Sequence, residues 1–456
     1  MRTPRPWQTP MITHIQAHKR CAVYAGVGTG KTGAVYVALD ELSAVDAVYP
    51  ALVLSTLRVA RDTWMEEIAK WEHLRHIRVV AVVGTVAERI AALRKPAEYY
   101  CTNYENLPWL VEYLGNKWPF KTIVGDESSK LRGFRLRQGT MRSRALAKRA
   151  HTHSNRFIEL TGTPSPNGLK NLWGQLWFID QGLRLGRSYD SFRHRWFQLS
   201  FDGYGMDPLP HAQVEIQDKI KDVCLSVDLS DYVDVAKPIV NNIMLNMPKA
   251  AMVVYKEMEK HAFVEIKENC VEAFNAASRT NKCLQIANGA LYVGGDNKNW
   301  EELHTVKLDA LDDIVEDCVG FPILVAYNFV SDQKRILARF PFAVDLSTTK
   351  GMTAFKKGKS AMGIGHPASI GHGIDGLQDV TNIMVNFGHN WDLELYDQFV
   401  GRIGPVRQMQ SGHNRPVFIH NLVMRDTMDE CVIERRDSKR SVQDILLEAV
   451  KRRESE

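Results

Sequence analysis

Short apolar runs and stretches of helical spacing alternate through the first 235 or so residues. Cys21–Ala25 is an apolar run, and Ala34, Val35, Ala38, Leu39 and Leu42 then fall at the spacing of one helix face. Ala51–Leu54 reads as a buried strand ending at Ser55 and Thr56, and Trp64, Ile68 and Trp71 follow at i, i+4, i+7 on a predicted helix. Ile77–Val83 predicts a strand, Val86–Leu93 a helix, and Glu98–Cys101 a strand running into Thr102, Asn103, Tyr104 and Glu105. Such alternation predicts a parallel sheet covered on both faces, with ligands at the carboxyl ends of its strands. The polar strand ends are therefore where chemistry is expected.

The alternation breaks between about 180 and 240. Arg193, His194, Arg195, Trp196 and Phe197 precede a Gly/Asp/Pro-rich stretch from Asp202 to Pro210, which reads as an insertion and a connection rather than a domain. A second α/β unit begins near Pro238, Ile239 and Val240, followed by a helical stretch from Lys249 to Ala277 with Met252, Tyr255, Met258 and Glu259 on one face. Val306, Leu308, Leu311, Ile314, Val315, Cys318 and Val319 form an amphipathic helix leading into the strand Ile323–Asn328. The expected division is 1–236, with the insertion at about 180–236, and 237–456.

Composition narrows the class. The chain of 456 residues is 45% hydrophobic and 24% charged, as in an ordinary globular protein. No apolar run is long enough to span a bilayer, and the start, Met1 to Pro6, lacks the apolar segment of an export signal. The seven cysteines lie singly without a Cys-x-x-Cys, so buried thiols in a reducing cytoplasm are expected rather than a disulfide framework or zinc site. Net charge is only +5, but Lys130 to Arg149 holds eight Lys or Arg and no acid. Such a run suits a polyanion, or else the solvated face of a helix.

Two motifs carry chemistry. Ala25 to Thr32 contains Gly26-Val27-Gly28-Thr29-Gly30-Lys31-Thr32 between an apolar strand and a helix. Glycines there let successive N–H groups converge on phosphate oxygens, with Lys31 reaching the β/γ-phosphates and the Thr32 hydroxyl placed for Mg²⁺. Further on, Phe120–Val124 ends in Gly125, Asp126, Glu127, Ser128 and Ser129. Beside a phosphate loop, the first carboxylate suits Mg²⁺ and the second suits the attacking water. Phe157 to Leu160 ends in Thr161-Gly162-Thr163-Pro164, either a tight turn or a sensor of the γ-phosphate.

In these motifs the chain resembles a superfamily 2 helicase motor of the Swi/Snf-type DNA translocase branch, in the compact form found in bacteriophages. The resemblance implies two tandem RecA-like domains and an ATP-Mg²⁺-dependent motor. Arg5-Pro6-Trp7-Gln8 matches the adenine-reading segment, so Gln8 joins Gly26, Gly28, Thr29, Gly30, Lys31 and Thr32 as expected nucleotide contacts. Thr56, Asn103, Lys130 and Arg132 are expected on the nucleic-acid side, and Thr161 and Thr163 in coupling. In the second half, Gln285–Gly289, Lys307-Leu308 and the strand end Asn328 match the family. The glycine-dense stretch Gly363–Gln378 resembles its fifth motif: Ser369 and Gly371 would meet nucleic acid and Asp375 the ribose or phosphates. The imidazoles of His366 and His372 in that stretch lack a metal-binding spacing.

The last motif runs from Gln398, a coupling residue by resemblance, to Gln408. Arg402 matches the family's first arginine, whereas Pro405 stands where the second would be and Arg407 follows two residues on. Either the chain turns so that Arg407 serves as a finger, or the motor has one. The implied partner is DNA, duplex or branched, contacted at its phosphates without sequence preference, and no membrane. The implied location is the cytoplasm, that of the host if the protein is phage-encoded. An RNA-dependent helicase of the same fold, or an ATP-sensing DNA-binding scaffold, are the alternatives.

Overall fold

A computed structural model describes residues 3–162, 169–199, 206–234, 236–269, 280–293, 299–371 and 374–438. The chain divides into two compact units, residues 1–234 and 235–456.

The first unit is built on a seven-stranded sheet: β1 (Arg20–Ala25), β2 (Ala51–Ser55), β3 (Val79–Ala81), β4 (Tyr99–Asn103), β5 (Thr122–Asp126), β6 (Arg156–Thr161) and, after a small hairpin of β7 (Phe197–Leu199) and β8 (Met206–Pro208), β9 (Cys224–Val227). The order is β3-β4-β2-β5-β6-β1-β9, and every pairing is parallel. Residues of β1, β2, β4, β5 and β6 are almost all buried, as expected for strands with helices on both faces. The helices are α1 (Thr9–Ala17), α2 (Lys31–Ser43), α3 (Trp64–Ile68), α4 (Val86–Leu93), α5 (Leu107–Leu114), α6 (Met141–Ala150), α7 (Leu172–Asp180), α8 (Tyr189–Trp196) and α9 (Ala212–Ile220).

Two sequence expectations change here. Trp71 is not on a helix with Trp64 and Ile68: α3 ends at Ile68, and Trp71 is extended (φ −109°, ψ 100°) ahead of a short 3₁₀ turn. Its indole instead lies over Gly33, where an added Cβ would fall 2.6 Å from the ring. The stretch read as an insertion also returns to the main sheet. Within it β9 pairs with β1 in register Ala22↔Cys224 to Ala25↔Val227, forming the sheet's edge on the side of the strand that leads into the glycine loop. Its Asp202–Pro210 segment is described only from Met206 onward.

The second unit has a six-stranded parallel sheet of order β10-β17-β16-β13-β15-β14. Its strands are β10 (Ile239–Leu245), β13 (Ile323–Ala326), β14 (Ala343–Asp345), β15 (Met362–Gly365), β16 (Ile383–Asn386) and β17 (Phe418–Met424), with β11 (Ala290–Val293) and β12 (Asn299–Glu302) forming a separate antiparallel hairpin. The helical stretch predicted to Ala277 is described from Lys249 to Asn269. No described helix is long and apolar enough to cross a membrane.

Candidate active site

Strand register decides what shares the carboxyl edge of the first sheet. Ser55 pairs with Asn103, Leu54 with Gly125, Asp126 with Leu160, and Tyr24 with Thr161. Thr56, Asn103, Asp126, Thr161 and the loop after Ala25 therefore emerge from one edge, as parallel strands of matched length require. Thr163 and the rest of residues 163–168 lie outside the described residues.

The loop itself adopts the conformation its glycines permit. Gly28 and Gly30 have φ of 84° and 79°, a region costly for residues with a Cβ, and Gly30 caps α2. At Gly26 a Cβ would meet nothing within 4 Å, so the approach to the loop backbone is open. Two side chains hold the loop from behind: the Trp7 indole donates to the Thr29 carbonyl at 2.9 Å, and Gln8 Nε2 to the Gly30 carbonyl at 2.8 Å. Gln8 is buried, and its Oε1 accepts from the Arg5 amide. Lys31 Nζ donates to the carbonyls of Ala25 (2.6 Å) and Gly26 (3.0 Å), lying along the loop. Thr32 follows it, half-buried, in the first turn of α2.

Asp126 ends β5 almost fully buried, and the Trp64 indole donates to its Oδ2 at 3.0 Å. Burial raises its pKa, opposed by that indole and by the charge of Lys31. The Tyr104 hydroxyl donates to the Asp126 carbonyl at 3.2 Å, fixing the strand end. Glu127 then takes a left-handed backbone, φ 61° and ψ 57°, uncommon for a residue with a Cβ. A short turn, Ser128–Leu131, carries Lys130 and leads to Arg132, both half-exposed. Gly174 of α7 touches that turn: a Cβ there would sit 2.5 Å from the Arg132 carbonyl.

The remaining cations of the basic run are distributed. Arg135 lies over the Tyr189 ring, 3.4 Å from its centroid, and Arg142 pairs with Glu105 at 3.1 Å. Arg144 and Lys148 are exposed on α6. The run is thus part brace and part surface.

In the second unit Arg402 and Arg407 differ sharply. Arg402 is buried, and its guanidinium donates to the carbonyls of Ile374 (2.8 Å) and Gly371 (2.5 Å). Pro405 occupies the first turn of a helix, Pro405–Gln410, which its fixed φ suits. That helix presents Arg407, whose Nη1 contacts Asp375 Oδ1 at 2.8 Å. Asp375 Oδ1 also accepts from the Gly376 amide and Gln378 Nε2, both at 3.1 Å. Ser369 is exposed on the short helix Pro367–Ile370, and buried Gln398 lies beside Gly371. His366 caps that helix through Nδ1, while His372 is outside the described residues. No cluster of three potential metal-binding His, Cys, Asp or Glu occurs among the described residues.

Asn328 is placed by a buried network that the residue patterns do not reveal. Its Nδ2 donates to the His389 carbonyl at 3.1 Å, and its amide to Asp332 Oδ2 at 3.2 Å. Asn288 joins Asp332 to Lys307, and Lys307 Nζ meets Asp429 Oδ2 at 2.6 Å with both side chains fully buried. The available signal was Lys307 lying at i, i+4, i+7 with Leu311 and Ile314 on an apolar helix face. In the first unit Trp64, Tyr104 and Gln175 are supports of the same kind, hidden as ordinary apolar or helical positions.

Comparison with known proteins agrees with the fold. The sequence model of the SNF2-related domain matches residues 13–288. "Putative protein p41" of Acyrthosiphon pisum secondary endosymbiont phage 1 is 50% identical across 99% of both chains. The mouse DNA excision repair protein ERCC-6-like is 28% identical over 35% of this chain and 13% of its own length. Among solved structures, the Pyrococcus furiosus Hef helicase domain matches with a TM-score of 0.51 at 12% identity, covering 96% of this chain and 98% of that one. The Sulfolobus solfataricus SWI2/SNF2 ATPase core in complex with dsDNA gives 0.45 at 21% identity, covering 96% and 91%.

Proposed function

This chain belongs to the SNF2-related family, and on that premise we propose that it is an ATP-driven motor acting on DNA. The observation that carries the reading is the single sheet edge bearing the glycine loop, Lys31, Asp126 and Glu127.

The residues present fit ATP-Mg²⁺. Open backbone at Gly26 and positive φ at Gly28 and Gly30 suit a loop whose amides would converge on phosphate oxygens. Lys31 would leave the Ala25 and Gly26 carbonyls for the β- and γ-phosphates, and Gln8 would hold the loop while reading the base. Thr32 and Asp126 would hold Mg²⁺, which supplies neutralising charge on the phosphate oxygens. Glu127, on its left-handed backbone, would orient and deprotonate the attacking water. By the family resemblance Arg407 would supply cationic stabilisation of the transferred phosphoryl, while Arg402 braces the carbonyls of Gly371 and Ile374 within its own unit.

Thr56, Asn103, Lys130 and Arg132 on the first unit, with Asn328, Ser369 and Gly371 on the second, would meet the nucleic-acid backbone. Thr161, Thr163 and Gln398 would couple that contact to hydrolysis. The mouse relative is by name a DNA repair protein, which favours DNA over RNA as the track. Contacts to phosphates rather than bases make binding sequence-independent and salt-sensitive. The test is steady-state ATP hydrolysis by the wild type and Lys31→Ala with duplex DNA, forked DNA, single strands and RNA. Stimulation by DNA, absent in the variant, is expected. Stimulation by RNA alone would replace the track, and hydrolysis no better than the variant's would leave only a scaffold.

A further inference from the structure

Glu159 has no part in the hydrolytic scheme, yet it lies beneath it. It is fully buried on β6, opposite Gly125 of β5 and Ala22 of β1, two residues before Thr161 and on the same side of the strand. Neither of its carboxyl oxygens has a hydrogen-bond partner among the described residues. The groups that bear on it are the phenols of Tyr24 and Tyr104 and the thiols of Cys21 and Cys224, none of them cationic. Burial pushes its pKa up to about 8, so the side chain enters neutral solution as a carboxylic acid.

One polar group is near enough to favour its ionised form, the hydroxyl of Ser128. That hydroxyl is turned away: Ser128 Oγ donates to Gln175 Oε1 at 3.2 Å, and both residues are fully buried. Gln175 sits on α7, the next α-helix in the chain after Thr161 among the described residues, and its Nε2 donates to the Asn171 carbonyl at 3.2 Å. Ser128 is the residue after Glu127. A buried polar group left unsatisfied is costly, and its presence beside a rotatable donor points to a second arrangement in which the hydroxyl turns to it.

Resting on the ATPase reading, we propose that Glu159 is a positioning residue. It is the alternative acceptor for the Ser128 hydroxyl, so that exchange between Gln175 and Glu159 resets the turn bearing Glu127 against the strand bearing Thr161 during each hydrolytic cycle. No proton or bond is transferred; one hydroxyl rotates between two acceptors. A glutamine retains the acceptor, whereas a leucine of similar size removes it.

The test compares wild type, Glu159→Gln, Glu159→Leu, Ser128→Ala and the combined Ser128→Ala/Glu159→Leu. For each, kcat and KM of ATP hydrolysis are measured with and without duplex DNA, together with Tm. Glu159→Leu is expected to match or exceed the wild-type Tm, because an orphaned polar group is gone, yet to lower DNA-stimulated kcat about tenfold, the effect of roughly one hydrogen bond, with KM little changed. Glu159→Gln is expected to restore most of that kcat, and the combined variant to be no worse than either single. Wild-type kcat in Glu159→Leu, or no rescue by glutamine, overturns the proposal. Should the leucine variants fail to fold, Ser128→Ala decides, since wild-type DNA-stimulated kcat without the rotating hydroxyl would overturn the proposal. An inactive wild type sinks the motor reading and this inference with it; an active one with an unaffected leucine variant sinks the inference alone.

Discussion

Both units rest cations on backbone carbonyls beside their strand ends, but under different conditions. Lys31 lies along its own loop, half-buried, on the carbonyls of Ala25 and Gly26. Incoming phosphates would draw the ammonium from these carbonyls, because a charge-assisted bond to an anion is the stronger. Arg402 is buried on Gly371 and Ile374, so its departure would strip two carbonyls and a loop of their brace. Arg407 pairs with a partly exposed aspartate at 2.8 Å and can leave far more readily. The lesson is that family position alone does not identify the mobile cation; what each cation is holding does.

The largest effects are expected at the glycine loop and the strand end beside it. Lys31→Ala, and separately Glu127→Gln, should lower kcat by a factor on the order of a thousand or more while leaving Tm nearly unchanged. A large loss of Tm in either variant would mean that these side chains are structural. The second unit's strongest dependence should instead be energetic. Lys307→Met leaves Asp429 buried without its ammonium and is expected to cost about 3–5 kcal/mol in chemical denaturation. Lys307→Met combined with Asp429→Leu should recover most of it; failure to recover would show that the pair stabilises more than it costs.

The two arginines should then separate. Arg407→Ala is expected to lower kcat by a factor of about a hundred with stability retained. Arg402→Ala is expected to lose about 2–4 kcal/mol of stability by leaving buried carbonyls unpaired. Unchanged Tm in Arg402→Ala alongside a large kcat loss would exchange their roles.

A smaller effect distinguishes the first unit by pH. Glu159 is held above its ordinary value near 4.5, up to about 8, so the folded state binds this proton more tightly than the unfolded chain. Its contribution is therefore fully present below about pH 4.5 and declines as pH rises toward 8. Unfolding followed between pH 6.5 and 8 should show stability falling in the wild type and a flatter profile in Glu159→Gln. Parallel profiles would show that the carboxyl is better solvated than its burial implies. Smallest of all, Lys130→Ala and Arg132→Ala should each reduce the salt dependence of DNA binding by about one unit of slope, without changing sequence preference.

Much of the molecule could be read along the chain because parallel strands bury both faces and leave continuous apolar runs, as Ala51–Leu54 and Ile323–Ala326 do. The glycine turn between strand and helix was equally legible, since positive φ at Gly28 and Gly30 is a conformation that residues with a Cβ avoid. Three kinds of feature were not. Trp71 kept helical spacing with Trp64 and Ile68, yet the helix stops and the ring crosses to Gly33, a tertiary choice that periodicity does not encode. Cys224–Val227 is short and lies in a stretch of mixed composition, so its pairing with β1 depends on a partner some 200 residues away. The supports at Trp64, Gln175 and Lys307 are side chains whose polar ends matter only once distant strands align.

The bare backbone of Gly174 has a mechanical consequence. With only hydrogens between α7 and the Arg132 carbonyl, a side chain at position 174 would have to push the helix off the basic turn. Even the single methyl of Gly174→Ala would therefore part Leu172–Asp180 from the turn that carries Lys130 and Arg132.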